Sequence, residues 1–270
     1  MNASISASYD TIHNLSIQVQ TPRHYCYCSI SQARGTPPTS MATNSQSSEI
    51  TATIILGGSL DSGHWVQTLA TESDFVIAAD YGLAHCLKLG ITPRLCVGDY
   101  DSVDIEDLTQ AYQLGWNIIS FPREKDMTDG ELAIREAVTL GARRIHLLAG
   151  FSGDNRVDHG IAHFFQLAYF SETGIDIRMV DHDKEAHILT ANAANLITGR
   201  RHASVSLIPM DKNVTGVSTQ GLRYELNGEA LHFGSTRSLS NEMLHDSATI
   251  HLQTGLLLVV IVAANLMQPE

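Results

Sequence analysis

Between residues 50 and 172 one pattern recurs, and it limits the fold more than any other feature of the chain. A short apolar, β-branched run ends in glycine or aspartate, and a segment with apolar residues three and four apart follows. ITATIILGG (50–58) is the first such run. FVIAAD (75–80) precedes GLAHCLKLG, RLCVGD (94–99) precedes DIEDLTQAYQLG, NIISFP (117–122) precedes TDGELAIREAVTLG, and RIHLLAG (144–150) precedes HGIAHFFQLAYF. Apolar strands alternating with amphipathic helices imply a mostly parallel sheet covered on both faces. The helix over 128–140 is the best defined, with Thr128 and Glu131 as a capping box and Gly141 as the stop.

After residue 175 the period changes. IDIRMVD, AHILT, ASVSLIP, LRYELN, ALHF, ATIHLQ and GLLLVVIV are short, alternating and separated by Gly, Asn and Asp. They predict an antiparallel all-β unit of sandwich or barrel type. The fold expected is therefore α/β followed by all-β: a mostly parallel α/β sheet domain over 49–175, then a C-terminal antiparallel β-sandwich domain over 176–270. Residues 1–48 are dominated by Ser, Thr, Asn and Gln, contain the pair Pro37–Pro38 and sustain no hydrophobic period. They read as a disordered or non-native N-terminal extension, without the apolar run of a secretory signal.

Composition excludes some functions. Lys plus Arg number 17 against 29 Asp plus Glu, a formal charge of -12, and no basic cluster offers a nucleic-acid surface. The longest apolar stretch, Leu256 to Leu266, is broken by Asn265 and is shorter than the roughly 20 residues that span a bilayer. Cys26, Cys28, Cys86 and Cys96 form neither a CxxC pair nor a dense framework, which fits a reducing, cytoplasmic setting.

In an open parallel sheet, ligands bind beyond the carboxyl ends of the strands. Asp80, the pair Asp99 and Asp101 of VGDYDS, and the pair Asp126 and Asp129 all fall there. If the strand continues through Tyr100, the side chains of Asp99 and Asp101 point the same way and can share a cation, for which Mg²⁺ is suited. The alternative is that they cap a turn and the following helix. Lys125 and Arg123 stand beside Asp126 and Asp129 as phosphate contacts or as a solvated loop. A second constellation, GFSGDNRVDHGIAH (150–163), is a glycine-bearing loop entering a helix, with Arg156 as a cation for an anion at the helix start. Asp158 and His159 could position a proton or a nucleobase, or simply cap the helix; His159 and His163 read as helix surface or core. The Gly-Lys-Ser/Thr ending of a P-loop is absent.

The ordered series AADYG, VGDYDS, KDMTDGELA, RVDH, SLIP, TQGLRYEL and SLSNE resembles the thiamine pyrophosphokinase family, across residues 50 to 262. The resemblance implies a homodimer with sites at the subunit interface, and transfer of a pyrophosphoryl group from ATP to the hydroxyethyl oxygen of thiamine, giving thiamine diphosphate and AMP. It implies that Asp80, Asp99, Asp101 and Asp129 handle Mg²⁺, with Asp99, Asp101 and Asp129 catalytic. It further implies that Lys125, Asp126, Thr128, Arg156, Asp158 and His159 contact the nucleotide, and that Ser238, Ser240 and Asn241 line the thiamine site. Departures from the family pattern are Tyr81, where the first motif carries glycine, Asp154 and Asn155 in the loop before Arg156, and Tyr100 in place of Phe. Two rival readings are a Mg²⁺-dependent phosphohydrolase and a non-catalytic thiamine or nucleotide sensor on the same fold.

Overall fold

The computed structural model describes residues 18–19, 49–61, 63–151, 156–191, 195–198 and 201–263. The expected disorder of residues 1–48 lies outside the described residues, except that Gln18–Val19 (β1) forms a two-residue strand. Asp154 and Asn155 also lie outside them.

The predicted alternation is present from residue 51 onward. In chain order the elements are β2 (Thr51–Ile55), α1 (His64–Glu72), β3 (Phe75–Ala79), α2 (Gly82–Leu89), β4 (Leu95–Gly98), α3 (Ile105–Gln113), β5 (Ile118–Ser120), α4 (Asp129–Thr139), β6 (Arg144–Leu148), α5 (Val157–Glu172) and β7 (Asp176–Val180). They are followed by β8 (Lys184–Thr190), β9 (Asn195–Thr198), β10 (Ser204–Pro209), β11 (Asn213–Gln220), β12 (Asn227–His232), β13 (Asn241–Glu242), β14 (Ser247–His251) and β15 (Leu256–Val262).

Eleven strands form one sheet in the order β1-β5-β4-β3-β2-β6-β7-β8-β15-β10-β13, and β12-β11-β14-β9 form a second. From β1 to β7 every pairing is parallel, whereas β8, β15, β10 and β13 pair antiparallel. Every residue of β3 is buried because both faces of the sheet are covered. On one face α4 and α5 set Leu132, Ala133, Leu167 and Phe170 against Ile54, Ile77, Val97 and Leu147. On the other, α1, α2 and α3 bring Trp65, Leu83, Cys86 and Leu108 onto Ile55, Val76 and Ala78. A third core lies between the two sheets, where Val205, Leu207, Val259 and Ile261 meet Val214, Val217, Leu231 and Ile250. The result is an α/β sheet continued into an antiparallel sandwich, the fold class expected.

Local departures have physical causes. Helix α1 gives little signal in sequence: its N-cap is Gly63, no side chain caps it, and its first turn carries no acid. Asp176–Val180, which the alternating pattern groups with the β-rich half, pairs parallel with β6 and so closes the parallel run. LRYELN is mostly turn; Leu222 makes only an isolated bridge to Met243 after Gly221 at φ 83°. Its place is taken by β11, whose alternation is disguised by Gly216 at φ 67° and two register shifts. Among the described residues no helix is long and apolar enough to cross a membrane.

Candidate active site

Because β2 leads through α1 to β3, β4 and β5 on one side while β6 and β7 lie on the other, the strand order reverses direction between β2 and β6. The carboxyl ends of these strands open a cleft of about 750 Å³ there, lined by Leu56, Gly57, Gly58, Asp80, Tyr81, Asp99, Asp101, Ser102, Arg123, Thr128, Asp129, Arg156, His159 and His163, among others.

Asp80 follows β3 with the left-handed φ of 49°. Its backbone N–H donates to the Val97 carbonyl at 2.8 Å, while its carboxylate accepts from the Tyr100 N–H at 3.0 Å and the Ser102 hydroxyl at 2.5 Å. One side chain thereby holds the β3 and β4 exits together. Close approach requires Gly98, where a Cβ would stand 3.0 Å from Asp80 Cα. Burial, joined by the Asp99 and Asp101 charges, pushes the Asp80 carboxyl above its usual range, although the Ser102 hydrogen bond opposes them.

The strand does not continue through Tyr100, and this corrects the premise on which Asp99 and Asp101 would converge. β4 ends at Gly98 and Tyr100 takes φ 59°, which turns the chain and buries the Tyr100 ring in the core. Asp99 turns inward and accepts from Lys125 Nζ at 2.9 Å; its second oxygen takes the Asp101 N–H at 3.3 Å. Asp101 is exposed and pairs with Arg123 at 3.2 Å. The two carboxylates therefore occupy different depths of one cleft.

Lys125 also lies 3.2 Å from Asp129 Oδ1, and its side chain is only 10% exposed. Asp129 opens α4, where Thr128 is the N-cap: its hydroxyl accepts the Glu131 N–H at 3.2 Å. The reciprocal half of the capping box is replaced, because the Glu131 carboxylate binds Arg135 at 2.7 Å. Burial pushes Asp129 up to about 6 despite Lys125, whereas for Asp99 burial is outweighed by the Lys125 and Asp101 hydrogen bonds and the carboxyl falls below its usual range.

The residues expected to contact a nucleotide divide. Arg156 and His159 line the cleft and touch one another through the Arg156 guanidinium and His159 Nε2. Asp158 is exposed, hydrogen-bonded by Arg156 at 3.2 Å, and does not line the cleft; the Arg156 hydrogen bond holds it below the usual carboxylate range. Asp126 is exposed and likewise outside the lining. Ser238, Ser240 and Asn241 do not border this cleft. The Ser238 hydroxyl donates to the Leu207 carbonyl at 2.6 Å, Ser240 takes φ 55°, and the Asn241 amide bridges the Tyr224 backbone at 2.8 and 3.0 Å.

Sequence reasoning missed the loop after β2, where Gly57 and Gly58 read only as a strand stop. It also missed His163, which is buried as a core residue would be and yet borders the cleft. The helix period gave half of that answer; the other half needed the tertiary position of α5.

Carboxylates set beside Lys125, Arg123 and Arg156 suit a polyphosphate bound with a divalent cation. Asp129 Oδ1 is buried with Lys125 Nζ at 3.2 Å as its ion-pair partner and makes no hydrogen bond of good geometry, so this carboxylate keeps acceptor capacity for a cation. Among the described residues, the cluster with three metal-type ligand atoms mutually within 4.8 Å is Asp181, His182 and Asp183, at the β7–β8 turn; the cleft carboxylates are spaced more widely.

Comparison with known proteins gives concordant matches. Residues 66–179 match the family model for "Thiamin pyrophosphokinase, catalytic domain", and residues 195–257 that for "Thiamin pyrophosphokinase, vitamin B1 binding domain". A thiamine pyrophosphokinase of Bacillus subtilis is 26% identical over 189 residues, covering 70% of this chain and 87% of its own length. The crystal structure of a thiamin pyrophosphokinase from Geobacillus thermodenitrificans is 26% identical with a TM-score of 0.69, covering 79% of this chain and 97% of that one. For a Bacillus subtilis crystal structure the values are 24%, 0.70, 79% and 99%.

Proposed function

The chain belongs to the thiamin pyrophosphokinase family, and from that premise we propose that it transfers the pyrophosphoryl group of ATP to thiamine, giving thiamine diphosphate and AMP. The observation that carries this reading is the set of strand-end carboxylates around Lys125, beside Arg123 and Arg156, in one cleft. Phosphoryl-type transfer needs charge neutralisation and alignment far more than covalent help.

In the reaction the hydroxyethyl oxygen of thiamine bonds to the β-phosphorus of ATP. The bond between that phosphorus and the α,β-bridging oxygen breaks, AMP leaves with that oxygen, and the hydroxyl proton passes to a base. Asp80, Asp99, Asp101 and Asp129 would hold Mg²⁺, which supplies charge neutralisation to the polyphosphate when bound. Lys125 fixes Asp99 and Asp129 and adds a positive charge behind them. Thr128 holds the start of α4, while Arg156 and His159 offer donors to the phosphates, with Asp158 orienting Arg156. Asp126 serves from the exposed side of the same loop. One of Asp99, Asp101 and Asp129 orients the hydroxyl and receives its proton.

Ser238, Ser240 and Asn241 lie outside the cleft of their own subunit, which supports a homodimer in which one subunit's β-rich half completes its partner's thiamine site. The free, buried thiols of Cys86 and Cys96 fit a cytoplasmic setting.

The test is a product assay with purified protein, ATP, Mg²⁺ and thiamine, resolved by chromatography. Equal amounts of thiamine diphosphate and AMP are expected. Thiamine monophosphate with ADP, or phosphate released without any need for thiamine, would overturn the reading.

A further inference from the structure

His163 stands on α5 and is 7% exposed as a residue. Its Nδ1 lies 2.8 Å from the Gly150 carbonyl oxygen. A carbonyl can only accept, so Nδ1 carries the hydrogen, and in the neutral ring Nε2 presents a bare lone pair. Burial keeps the ring neutral by pulling its pKa below the ordinary value, even though the bond to Gly150 opposes this.

The lone pair faces the cleft. Nε2 is 3.4 Å from where a Cβ on Gly130 would stand, and Thr128 Oγ1 is 3.7 Å from the same point, so it is the missing side chain of Gly130 that leaves Nε2 uncovered. Nε2 has no hydrogen-bond partner among the described residues, although His163 is more than nine-tenths buried.

The chemistry of that donor is constrained. A phosphate oxygen would set lone pair against lone pair, and phosphates have Lys125, Arg123 and Arg156 instead. Of the carboxylates offered to the reacting hydroxyl, Asp99 and Asp101 follow β4 and Asp129 pairs with Lys125, whereas Nε2 stands against Gly130 and Leu56, with Ala149 at the end of β6 also in the lining. Small apolar walls with one fixed acceptor suit a planar ring that bears an amine. Resting on the nucleotide-dependent reading above, we infer that His163 Nε2 accepts a hydrogen bond from the exocyclic amine of adenine and so selects the nucleotide base.

The experiment compares ATP with purine riboside triphosphate, which lacks that amine and is otherwise the same. Binding is measured by calorimetry with Mg²⁺ and without thiamine, and kcat/KM is measured alongside, for the parent, His163→Met and His163→Asn. The parent is expected to bind ATP roughly tenfold to a hundredfold tighter than the analogue. In His163→Met the two affinities should converge to within about threefold, because ATP binding weakens while analogue binding does not. A parent without preference overturns the inference, and this comparison needs no variant to fold. An unchanged preference in either folded variant also overturns it, as does a fall in kcat with nucleotide preference intact, which would assign His163 to the acceptor alcohol. Since selectivity is read without thiamine, failure to make thiamine diphosphate would sink the proposed reaction and leave this inference standing.

Discussion

Lys125 binds two carboxylates at once, and the three charges are not equivalent. Asp99 is drawn below its usual range by its hydrogen bonds while Asp129 is pushed up to about 6 by burial. The folded pKa of Asp129 thus exceeds the unfolded value of about 3.9, so its contribution to stability is complete below about pH 4 and is lost as pH rises through about 6. Asp129→Asn has no such titration. In the absence of metal the variant should gain on the parent by an amount on the order of 2 kcal/mol as pH goes from about 4 to above 6, read by denaturant unfolding at several pH values. Adding Mg²⁺ at pH 7 should raise the midpoint of the parent and leave that of the variant nearly unmoved. A pH-independent difference between the two would remove the buried, titrating carboxylate from the account. At this scale the aspartates were legible because the strand grammar tells where carboxyl ends lie. Their partners were not: Lys125 reaches Asp99 across 26 positions, and the left-handed turn at Tyr100 uses a residue that does not advertise one.

Elements were legible where a local signal agreed with the tertiary outcome. Helix α4 announced itself through Thr128 and stopped at Gly141, which takes φ 97°. Helix α1 had no such signals and owes its place to Trp65 and Val66 packing on the sheet. Helix α2 illustrates how an element positions chemistry. It begins at Gly82, directly after Asp80 and Tyr81, and a Cβ there would overlap the Ile55 carbonyl at the end of β2. The obstacle is backbone, so no rotamer change relieves it. Gly82→Ala should therefore cost at least about 1–3 kcal/mol, a fall of several degrees in Tm, despite the better helix propensity of alanine. The displacement would reach Asp80 and the Tyr100 turn it holds, so turnover should fall as well. A variant as stable and active as the parent would show that α2 can move away from β2 freely.

At the scale of the whole molecule, the change of period at residue 175 marks a change of pairing rather than a break in the sheet. β7 is parallel to β6 and antiparallel to β8, and the sheet passes through that hairpin into the sandwich without a gap. Periodicity could not show this, because it reports which face of a strand is buried and not which neighbour it pairs with. The cost of continuity is distance: seven strands separate β4, at the acidic cleft, from β13, at the far edge with Asn241. One subunit therefore has the acidic cleft and the proposed thiamine segment at different places on one long sheet, and the proposed two-fold dimer would join them, each subunit giving its edge to the other's cleft. Complementation tests this. Asp101→Ala removes a cleft carboxylate, and Ser240→Trp obstructs the edge segment at an exposed residue. Each homodimer should be inactive, but unfolding and reassociating an equal mixture makes half the dimers mixed, each with one intact site of two. Activity should then recover to about a quarter of the parent's, a value set by two-fold symmetry alone. If both variants are folded and dimeric and the reassociated mixture stays inactive, each cleft must be completed by its own chain, and the edge strand has another role.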